Sequence, residues 1–410
     1  MNLPARIAIE ALRAGVPNRE AVRLLGTEQT AIEQGFEQAL QRAWADGARP
    51  GTGLGIAGDF GTGKSHLLGC LAEIALTQGF VVSRVVVSKE TPLSDPARLY
   101  QAALREAALP DRNDDPMTAA LAELRRQPAR LSDLQAAVSA PGSGFAPVFG
   151  ALLFLLGRPA TPAERVRRFE KFLAGGRLAQ ADLRQALKEA GAAKMFELRA
   201  VPGVELARQL ALFAPLLFRA AGFAGWCLLL DEAELIGRYT PLQRALAYAE
   251  LARWLGLDAT ARVPGLVAVY AITDDFRAAV IEARGDAEKL PERLRLKGRT
   301  AQAALAQAGI RHISAAPRRL LPPGDTDLAT CHGRLRELYT SAHDWPAPPA
   351  PLATRTAAGT MRQYIKSWIT YWDVLRLEGS VAQIVAGTLG MDYAENADFS
   401  PVPGAEEDSA

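Results

Sequence analysis

The chain has 410 residues, of which 49% are hydrophobic and 22% charged, and its formal net charge is +2. This balance is typical of a soluble globular protein with more than one structural unit, and so small a charge does not by itself indicate a nucleic-acid partner. The most apolar run, residues 149–156, is much shorter than the roughly 18 residues of a transmembrane helix. Three widely separated cysteines exclude a disulfide framework, and the N-terminus lacks the apolar stretch of a signal peptide. We therefore expect a cytoplasmic protein without membrane contact.

The two ends of the chain are predicted to differ. Residues 1–50 have charged and apolar positions at helical spacing, which predicts a helical N-terminal segment. Asn18 precedes the run REAVRLLG and is expected to cap a helix there. Residues 393–410 are acidic and rich in small residues, which predicts a disordered tail.

The sequence GDFGTGKS, residues 58–65, matches the phosphate-binding pattern G-x-x-x-x-G-K-[ST] completely. An apolar run over 54–57 predicts a strand before it, and an amphipathic run over 65–78 predicts a helix after it. Glycines let successive amides turn toward one anion, and the helix start adds positive partial charge. The residues predicted to bind the nucleotide here are Gly58, Asp59, Phe60, Gly61, Thr62, Gly63, Lys64, Ser65 and His66.

Two of these residues have predicted chemical roles. Lys64 is expected to reach the β- and γ-phosphates, and the hydroxyl of Ser65 is expected to ligate Mg²⁺. His66 follows them, although its place inside the helix favours a packing role. ATP is favoured over GTP because no guanine-reading N-K-x-D sequence follows the acidic strand described below. The expected cofactors are therefore ATP and Mg²⁺.

A second apolar run, WCLLLDE at residues 226–232, ends in two acids. Buried parallel strands deliver carboxylates to the edge of a sheet in this way. Asp231 is placed to hold Mg²⁺, usually through water, and Glu232 is placed to accept a proton from the attacking water. The pattern is weak alone, but together with the phosphate loop it predicts a nucleotide hydrolase.

A third apolar run, residues 266–272, ends at Thr273. Some ATPases have an extra strand between the loop strand and the acidic strand, and a polar residue at its end senses the γ-phosphate. Thr273 is the candidate for that role, and a simple turn cap is the alternative. The arginine-rich helical stretch that follows supplies candidates for an arginine finger acting on the nucleotide of an adjacent subunit. These unranked candidates are Arg293, Arg295 and Arg299.

The order of the elements predicts an α/β fold of the P-loop NTPase type, similar to AAA+ proteins, with a parallel sheet covered on both faces. We expect an ATPase domain over 51–320, a helical insert at about 100–205 and a C-terminal helical lid over 321–392. The expected strands are 54–57, 80–87, 227–230, 266–272 and 311–314.

Within the predicted lid, Arg362 lies near the start of an amphipathic helix, from which it would contact the γ-phosphate; a surface position is the alternative. Trp368, Tyr371 and Trp372 recur at helical spacing and are predicted to be core residues rather than a base-stacking platform. Residues 284–319 carry nine Lys and Arg against three acids. This excess predicts either a surface that steers phosphates, of a nucleotide on a neighbouring subunit or of a nucleic acid, or a solvated helical face. Basic residues also outnumber acidic ones over 125–199 of the insert, which is either a recognition surface for a partner or nucleic acid or a rigid decoration.

Several stretches, in order, resemble the ATP-binding proteins of bacteriophage-exclusion (BREX) systems and, more widely, AAA+ ATPases related to the initiator group. They include ALRAGVP, GDFGTGKSHLL, SKETPLSDP, GWCLLLDEAELIGR and LPERLRLK, within about residues 6–378. The resemblance places the nucleotide loop on Gly58 to Ser65 and the acidic pair on Asp231 and Glu232. It implies a bacterial, cytoplasmic ATPase in a multi-gene antiphage defence module, beside a helicase, a methyltransferase or similar proteins, and it implies homo-oligomers and contact with DNA.

Two functions remain open at this point. The first is an ATPase that couples hydrolysis to remodelling or loading of a DNA-associated complex. The second is a nucleotide-gated binding module, in which ATP closes the lid and orders an interface with little hydrolysis. Both use Lys64 and Asp231, but only the first depends on Glu232. A small-molecule kinase is disfavoured, because such enzymes seldom combine an Asp-Glu pair with a polar strand end and a basic helical segment.

Overall fold

The fold is mixed α/β and is organised around one six-stranded sheet. The computed structural model describes residues 2–15, 18–45, 53–258, 264–315, 317–350 and 360–379. Within these ranges, none of the helices combines the length and the apolar character that a membrane span requires. The predicted tail, 393–410, lies outside the described residues.

The sheet contains the strands β1 (Leu54–Ala57), β2 (Phe80–Val86), β3 (Ala107–Ala108), β4 (Gly225–Asp231), β5 (Leu266–Ile272) and β6 (Arg318–Arg319). Their order across the sheet is β3-β2-β4-β5-β1-β6. All neighbours are parallel except β3, which pairs antiparallel with β2. Consequently β5 lies between the strand that enters the phosphate loop and the strand that ends in the acidic pair.

The strands predicted at 54–57, 80–87, 227–230 and 266–272 are confirmed, but the strand predicted at 311–314 is wrong. Those residues form the last turn of a helix, and the strand beside β1 is the short β6. The reason is the spacing of the apolar residues: Ala306, Ile310 and Ile313 are all buried on one helix face.

The described α-helices are α1 (Leu3–Ala14), α2 (Arg19–Leu25), α3 (Thr30–Trp44), α4 (Lys64–Thr77), α5 (Pro96–Arg105), α6 (Pro116–Arg125), α7 (Pro128–Ser139), α8 (Pro147–Leu156), α9 (Ala163–Leu173), α10 (Gln180–Glu189), α11 (Gly203–Ala220), α12 (Pro241–Trp254), α13 (Asp286–Leu296), α14 (Thr300–Ser314), α15 (Asp325–His343) and α16 (Met361–Glu378). A 3₁₀ turn, Ala233–Arg238, follows β4, and a π-helical turn, Arg277–Glu282, follows β5. Asn18 caps α2 as predicted, because its Oδ1 accepts a hydrogen bond from the Ala21 amide at 3.0 Å.

Both faces of the sheet are covered by helices, as predicted. Successive strand residues point to opposite faces, so each face buries its own set of side chains. Phe80 and Val82 belong to a core with α3 and α4. On the other face, Val81 and Trp226 belong to a larger core with α5, α11 and α12. That larger core continues without interruption into α6–α10, which fill the interval where the sequence predicts an insert.

The N-terminal and C-terminal helices pack together, although they are far apart in the sequence. Helix α1 contacts α15 and α16, and Arg13 pairs with Asp373 at 2.8 Å. Trp368 and Trp372 are buried in this core, and Tyr371 packs against it, which confirms the predicted core role. The N-terminal segment and the predicted lid therefore share apolar packing. Residues 351–359 and 380–392 of that lid lie outside the described residues.

Candidate nucleotide-binding site

The phosphate-loop sequence forms the turn between β1 and α4. Gly61 and Gly63 have φ values of +82° and +105°, which residues with a Cβ rarely adopt. Lys64 begins α4 directly after Gly63, so the first helix amides, which have no intrahelical partner, lie at the turn. Thr62 Oγ1 donates to the Asp59 carbonyl at 2.7 Å. Among the described residues, a Cβ on Gly63 would meet no atom within 4 Å, so the space beside this part of the loop is open.

The Lys64 side chain is buried against the loop. Its Nζ donates to the carbonyl of Gly58 at 2.7 Å and to that of Asp59 at 3.3 Å. Only 8% of the residue is exposed, and it lines the same cavity as the acidic pair. The ammonium group therefore supplies a buried positive charge at the loop.

Asp231 ends β4, and both of its carboxylate oxygens accept hydrogen bonds. Oδ2 accepts from Arg84 Nη2 at 3.0 Å, and Oδ1 accepts from the Glu232 amide at 3.1 Å. Glu232 has a φ of +56°, a left-handed conformation that is uncommon outside glycine. Such strain costs about 1–3 kcal/mol and is typical of functional sites.

Glu234 is a third acid at this site, and the sequence analysis missed it. It is 2% exposed, lines the cavity, and its Oε2 has no hydrogen-bond partner among the described residues. Burial raises the pKa of Glu234 to about 7. Burial also raises the pKa of Glu232, helped by the charge of Asp231 and opposed by that of Lys64. The available signal was the third acid of DEAEL in an otherwise apolar run.

The structure brings most of the predicted nucleotide residues to one cavity of about 410 Å³. Gly58 and Asp59 do not line it, but their carbonyls hold Lys64. Thr273 directly follows β5 and is buried beside the loop, because Ile272 is in register with Ala57. The predicted residues that line the cavity are Phe60, Gly61, Thr62, Gly63, Lys64, Ser65, His66, Asp231, Glu232 and Arg362.

The candidates for an arginine finger are not part of this cavity. Arg293 and Arg295 lie in the last part of α13, and Arg295 pairs with Glu292 at 3.1 Å on the surface. Arg299 precedes the first residue of α14. Within its own chain, none of the three lines the pocket that contains Lys64.

The cavity also has an apolar wall that the sequence analysis did not predict. Leu12 and Leu25 come from the N-terminal helices, and Met361 and Ile365 come from α16. Residues 26–29, between α2 and α3, line the cavity beside them. The wall exists only because the two ends of the chain pack together.

His66 connects this wall to α4. Its Nε2 donates to the Gly26 carbonyl at 2.7 Å, and burial lowers the pKa of the ring. Both observations support a packing role for His66, although it lines the cavity. Arg362, in the first turn of α16, places its guanidinium 5.3 Å from the centre of the Phe60 ring, so α16 contacts the phosphate loop.

A protein-family model for the BREX system ATP-binding protein BrxC/D matches residues 4–124 and 199–368. The matched stretches include the phosphate loop, the acidic pair and Arg362, whereas residues 125–198, within the helical insert, lie between them. No curated protein and no solved structure matches the chain. Because the matched stretches make up most of the sequence, the chain belongs to the BrxC/D family of BREX system ATP-binding proteins.

Proposed function

We propose that the protein is an ATPase of the P-loop NTPase class, similar to AAA+ proteins, that couples ATP binding and hydrolysis to a DNA-associated antiphage defence complex. The observation that carries the proposal is that Lys64, Asp231 and Glu232 line one cavity. The position of β5 between β1 and β4 supports the fold assignment, because Thr273 then follows the strand between loop and acids. The ATP-binding description of the family supports the choice of ligand.

The phosphates would be held by the loop amides and by Lys64, whose ammonium would exchange its carbonyl partners for phosphate oxygens. Arg362 is proposed to contact the γ-phosphate from the start of α16, and Thr273 from the end of β5. The apolar wall formed by Leu12, Leu25 and Ile365 is proposed to receive the base.

The oxygen donors beside the loop fit Mg²⁺. It is usually held by one or two protein oxygens together with phosphates and water, and the Ser65 hydroxyl and the Asp231 carboxylate supply such oxygens. When bound, the ion would neutralise phosphate charge.

Glu232 is proposed as the general base. Its carboxylate would orient the attacking water and accept a proton from it, while the Asp231 carboxylate stays paired with Arg84. Burial raises the pKa of Glu232, which makes the ionised group a stronger proton acceptor. The two neighbouring acids therefore have separate tasks.

Contacts with other molecules are part of the proposal. Arg293 and Arg295 lie outside the cavity of their own chain, so an arginine-finger role requires a homo-oligomer. We further propose a cytoplasmic location and partners among the other BREX components, such as a helicase or methyltransferase. The basic stretch 284–319 and the helical insert are the proposed contacts with DNA.

The test compares Mg²⁺-dependent ATP turnover with binding of a fluorescent ATP analogue. Glu232→Gln should keep its nucleotide affinity and lose turnover by about 100-fold or more, because the base is removed while the phosphate contacts stay. Lys64→Ala should instead bind the nucleotide more weakly, because the phosphates lose a positively charged partner. A wild-type protein that binds the analogue but never hydrolyses ATP would contradict the ATPase proposal.

A nucleotide-gated binding module is the second candidate function. It is favoured by the contact between Arg362 and Phe60, through which a nucleotide at the loop would act on α16. The two functions are separated by measuring whether the Glu232→Gln variant still protects cells against phage. A variant that no longer hydrolyses ATP but still protects cells would support the module, and loss of protection would support the ATPase.

A further inference from the structure

Arg84 is a charged residue within the buried strand β2. It follows Phe80 and Val82 on the strand face that packs against α4, where the alternation predicts another apolar side chain. Asp231 lies on the same face of the neighbouring β4, two residues beyond Leu229, the register partner of Arg84. An arginine is therefore present where packing alone would favour an aliphatic residue.

Arg84 and the backbone together restrain the Asp231 carboxylate. The guanidinium holds Oδ2 at 3.0 Å, and the Glu232 amide holds Oδ1 at 3.1 Å. The two side chains of the ion pair are only 24% and 4% exposed. With both oxygens bound, the carboxylate cannot rotate without losing a partly buried hydrogen bond, which costs more than losing a bond at the surface.

The guanidinium also lies against α4. A Cβ on Gly69 would lie 3.7 Å from Arg84 Nη1, so this nitrogen lies beneath the helix that begins at the phosphate loop. A side chain enclosed by a helix and a strand is a restraint on Asp231 rather than a mobile group that leaves when a ligand enters.

The contacts of Asp231 leave part of its capacity to accept hydrogen bonds, which a metal-bound water would use. A carboxylate has about four lone-pair sites, of which Arg84 and the Glu232 amide use two. Glu232 and Glu234 line the same cavity as Asp231, and their negative charges would repel its carboxylate. The positive charge of Arg84 offsets this electrostatic repulsion.

We propose that Arg84 is a positioning residue for the metal-holding carboxylate, which it keeps in the orientation that receives Mg²⁺ and its water ligands. The inference rests on the proposed function, since it concerns the Mg²⁺ of the same site. In other proteins, residues that hydrogen-bond to metal-binding carboxylates keep them oriented toward the metal. Replacing such a residue typically lowers metal affinity by about 10–100-fold.

The experiment measures metal and nucleotide affinity separately. Binding of a fluorescent ATP analogue is titrated in EDTA and in Mg²⁺, and Mn²⁺ binding with ADP is followed by electron paramagnetic resonance. Arg84→Met should raise the Kd for the metal about 10-fold or more and leave the metal-free nucleotide Kd unchanged. Arg84→Lys, which retains the charge, should recover part of the affinity.

Two further variants give the test its controls. Arg208→Met breaks the ion pair of Arg208 with Glu250, which is similarly buried but outside the nucleotide cavity, and it should leave the metal Kd unchanged. In an Asp231→Asn background, Arg84→Met should add no further loss, because the residues act through one group.

Three results would overturn the inference: an equal loss of nucleotide affinity with and without metal, tighter metal binding, or an unchanged metal Kd. The first indicates a general structural role for Arg84, and the second indicates competition with the metal. If Arg84→Met does not fold, Arg84→Lys and Arg84→Gln are measured against the same outcomes. A wild-type protein without Mg²⁺-dependent nucleotide binding would instead contradict the proposed function, before any variant of Arg84 is compared.

Discussion

Thr360 faces Gly61 so closely that a Cβ on the glycine would lie 3.2 Å from the threonine Oγ1. Thr360 caps α16, and Gly61 is the central glycine of the phosphate loop, with a φ of +82°. The loop is therefore bounded on one side by the start of a C-terminal helix. This proximity makes the loop sensitive to a single methyl group.

We expect Gly61→Ala to destabilise the protein by about 1–2 kcal/mol, the cost of a left-handed conformation for a residue with a Cβ. It should also weaken ATP binding, because the new methyl group displaces either the loop or Thr360. Chemical denaturation and binding of a fluorescent ATP analogue measure the two effects. Gly142→Ala is the matched control, since Gly142 has a φ of +79° and, in the described part of the chain, no atom lies within 4 Å of its Cβ position. Equal losses of ATP affinity in both variants would show that the contact with Thr360 is irrelevant.

Glu234 should make stability depend on pH. Its pKa is raised from 4.5 to about 7 in the folded protein, so the folded state binds more protons than the unfolded state between these values. The contribution of Glu234 to the free energy of unfolding is therefore fully present below about pH 4.5 and is lost as the pH rises through about 7. Glu234→Gln, which stays neutral, should gain stability relative to wild type over that range, by up to about 3 kcal/mol.

The measurement is the free energy of unfolding of both proteins in EDTA buffers from about pH 5 to pH 8. The difference between the two curves reports Glu234 and the charged groups coupled to it in the cavity, because titrating groups elsewhere contribute equally to both proteins. Parallel curves for the two proteins would contradict the raised pKa.

Arg244 and Asp286 join α12 to the start of α13 through two hydrogen bonds of 2.9 Å in the protein interior. Arg244→Met would remove the Arg244 counter-charge from the buried Asp286 carboxylate and leave the Tyr248 hydroxyl bonded to it. We expect a loss of about 3–5 kcal/mol by chemical denaturation. Adding Asp286→Asn should restore part of it. Arg168→Met, which breaks an exposed pair with Glu164, should cost less than about 1 kcal/mol. Similar losses for the buried and exposed pairs would contradict this prediction.

Arg362→Gln tests the contact with the γ-phosphate. Because a hydrogen bond to a charged group contributes about 1.5–3 kcal/mol, the affinity for ATP should fall about 10-fold or more, while that for ADP falls less. Lys366→Gln is the control on the same helix, since Lys366 does not line the cavity. Calorimetric titration with ATP and with ADP gives the ratio of the two dissociation constants for each protein. An equal loss for ATP and ADP would place the guanidinium elsewhere on the nucleotide.

Local patterns were sufficient for part of this protein. Residues 58–63 form the predicted turn before α4, β5 has the predicted bounds, and Asp231 ends its strand as expected. Each of these features depends on contiguous residues, because backbone turns and strand alternation are set by neighbours in the chain. The same reasoning failed at 311–314, where the residues form the end of a helix packed through Ile310 and Ile313.

The rest of the site depends on contacts between distant residues. Arg84 and Asp231 are 147 positions apart, and they meet because β2 and β4 are neighbours in the sheet. Leu12 and Ile365 share a cavity wall because α1 packs against α16. Short motifs located the turn before α4 and the acids at the end of β4, since their geometry is local. Strand order and helix packing selected the partners of those residues, because they follow from burying the apolar faces of the whole chain together.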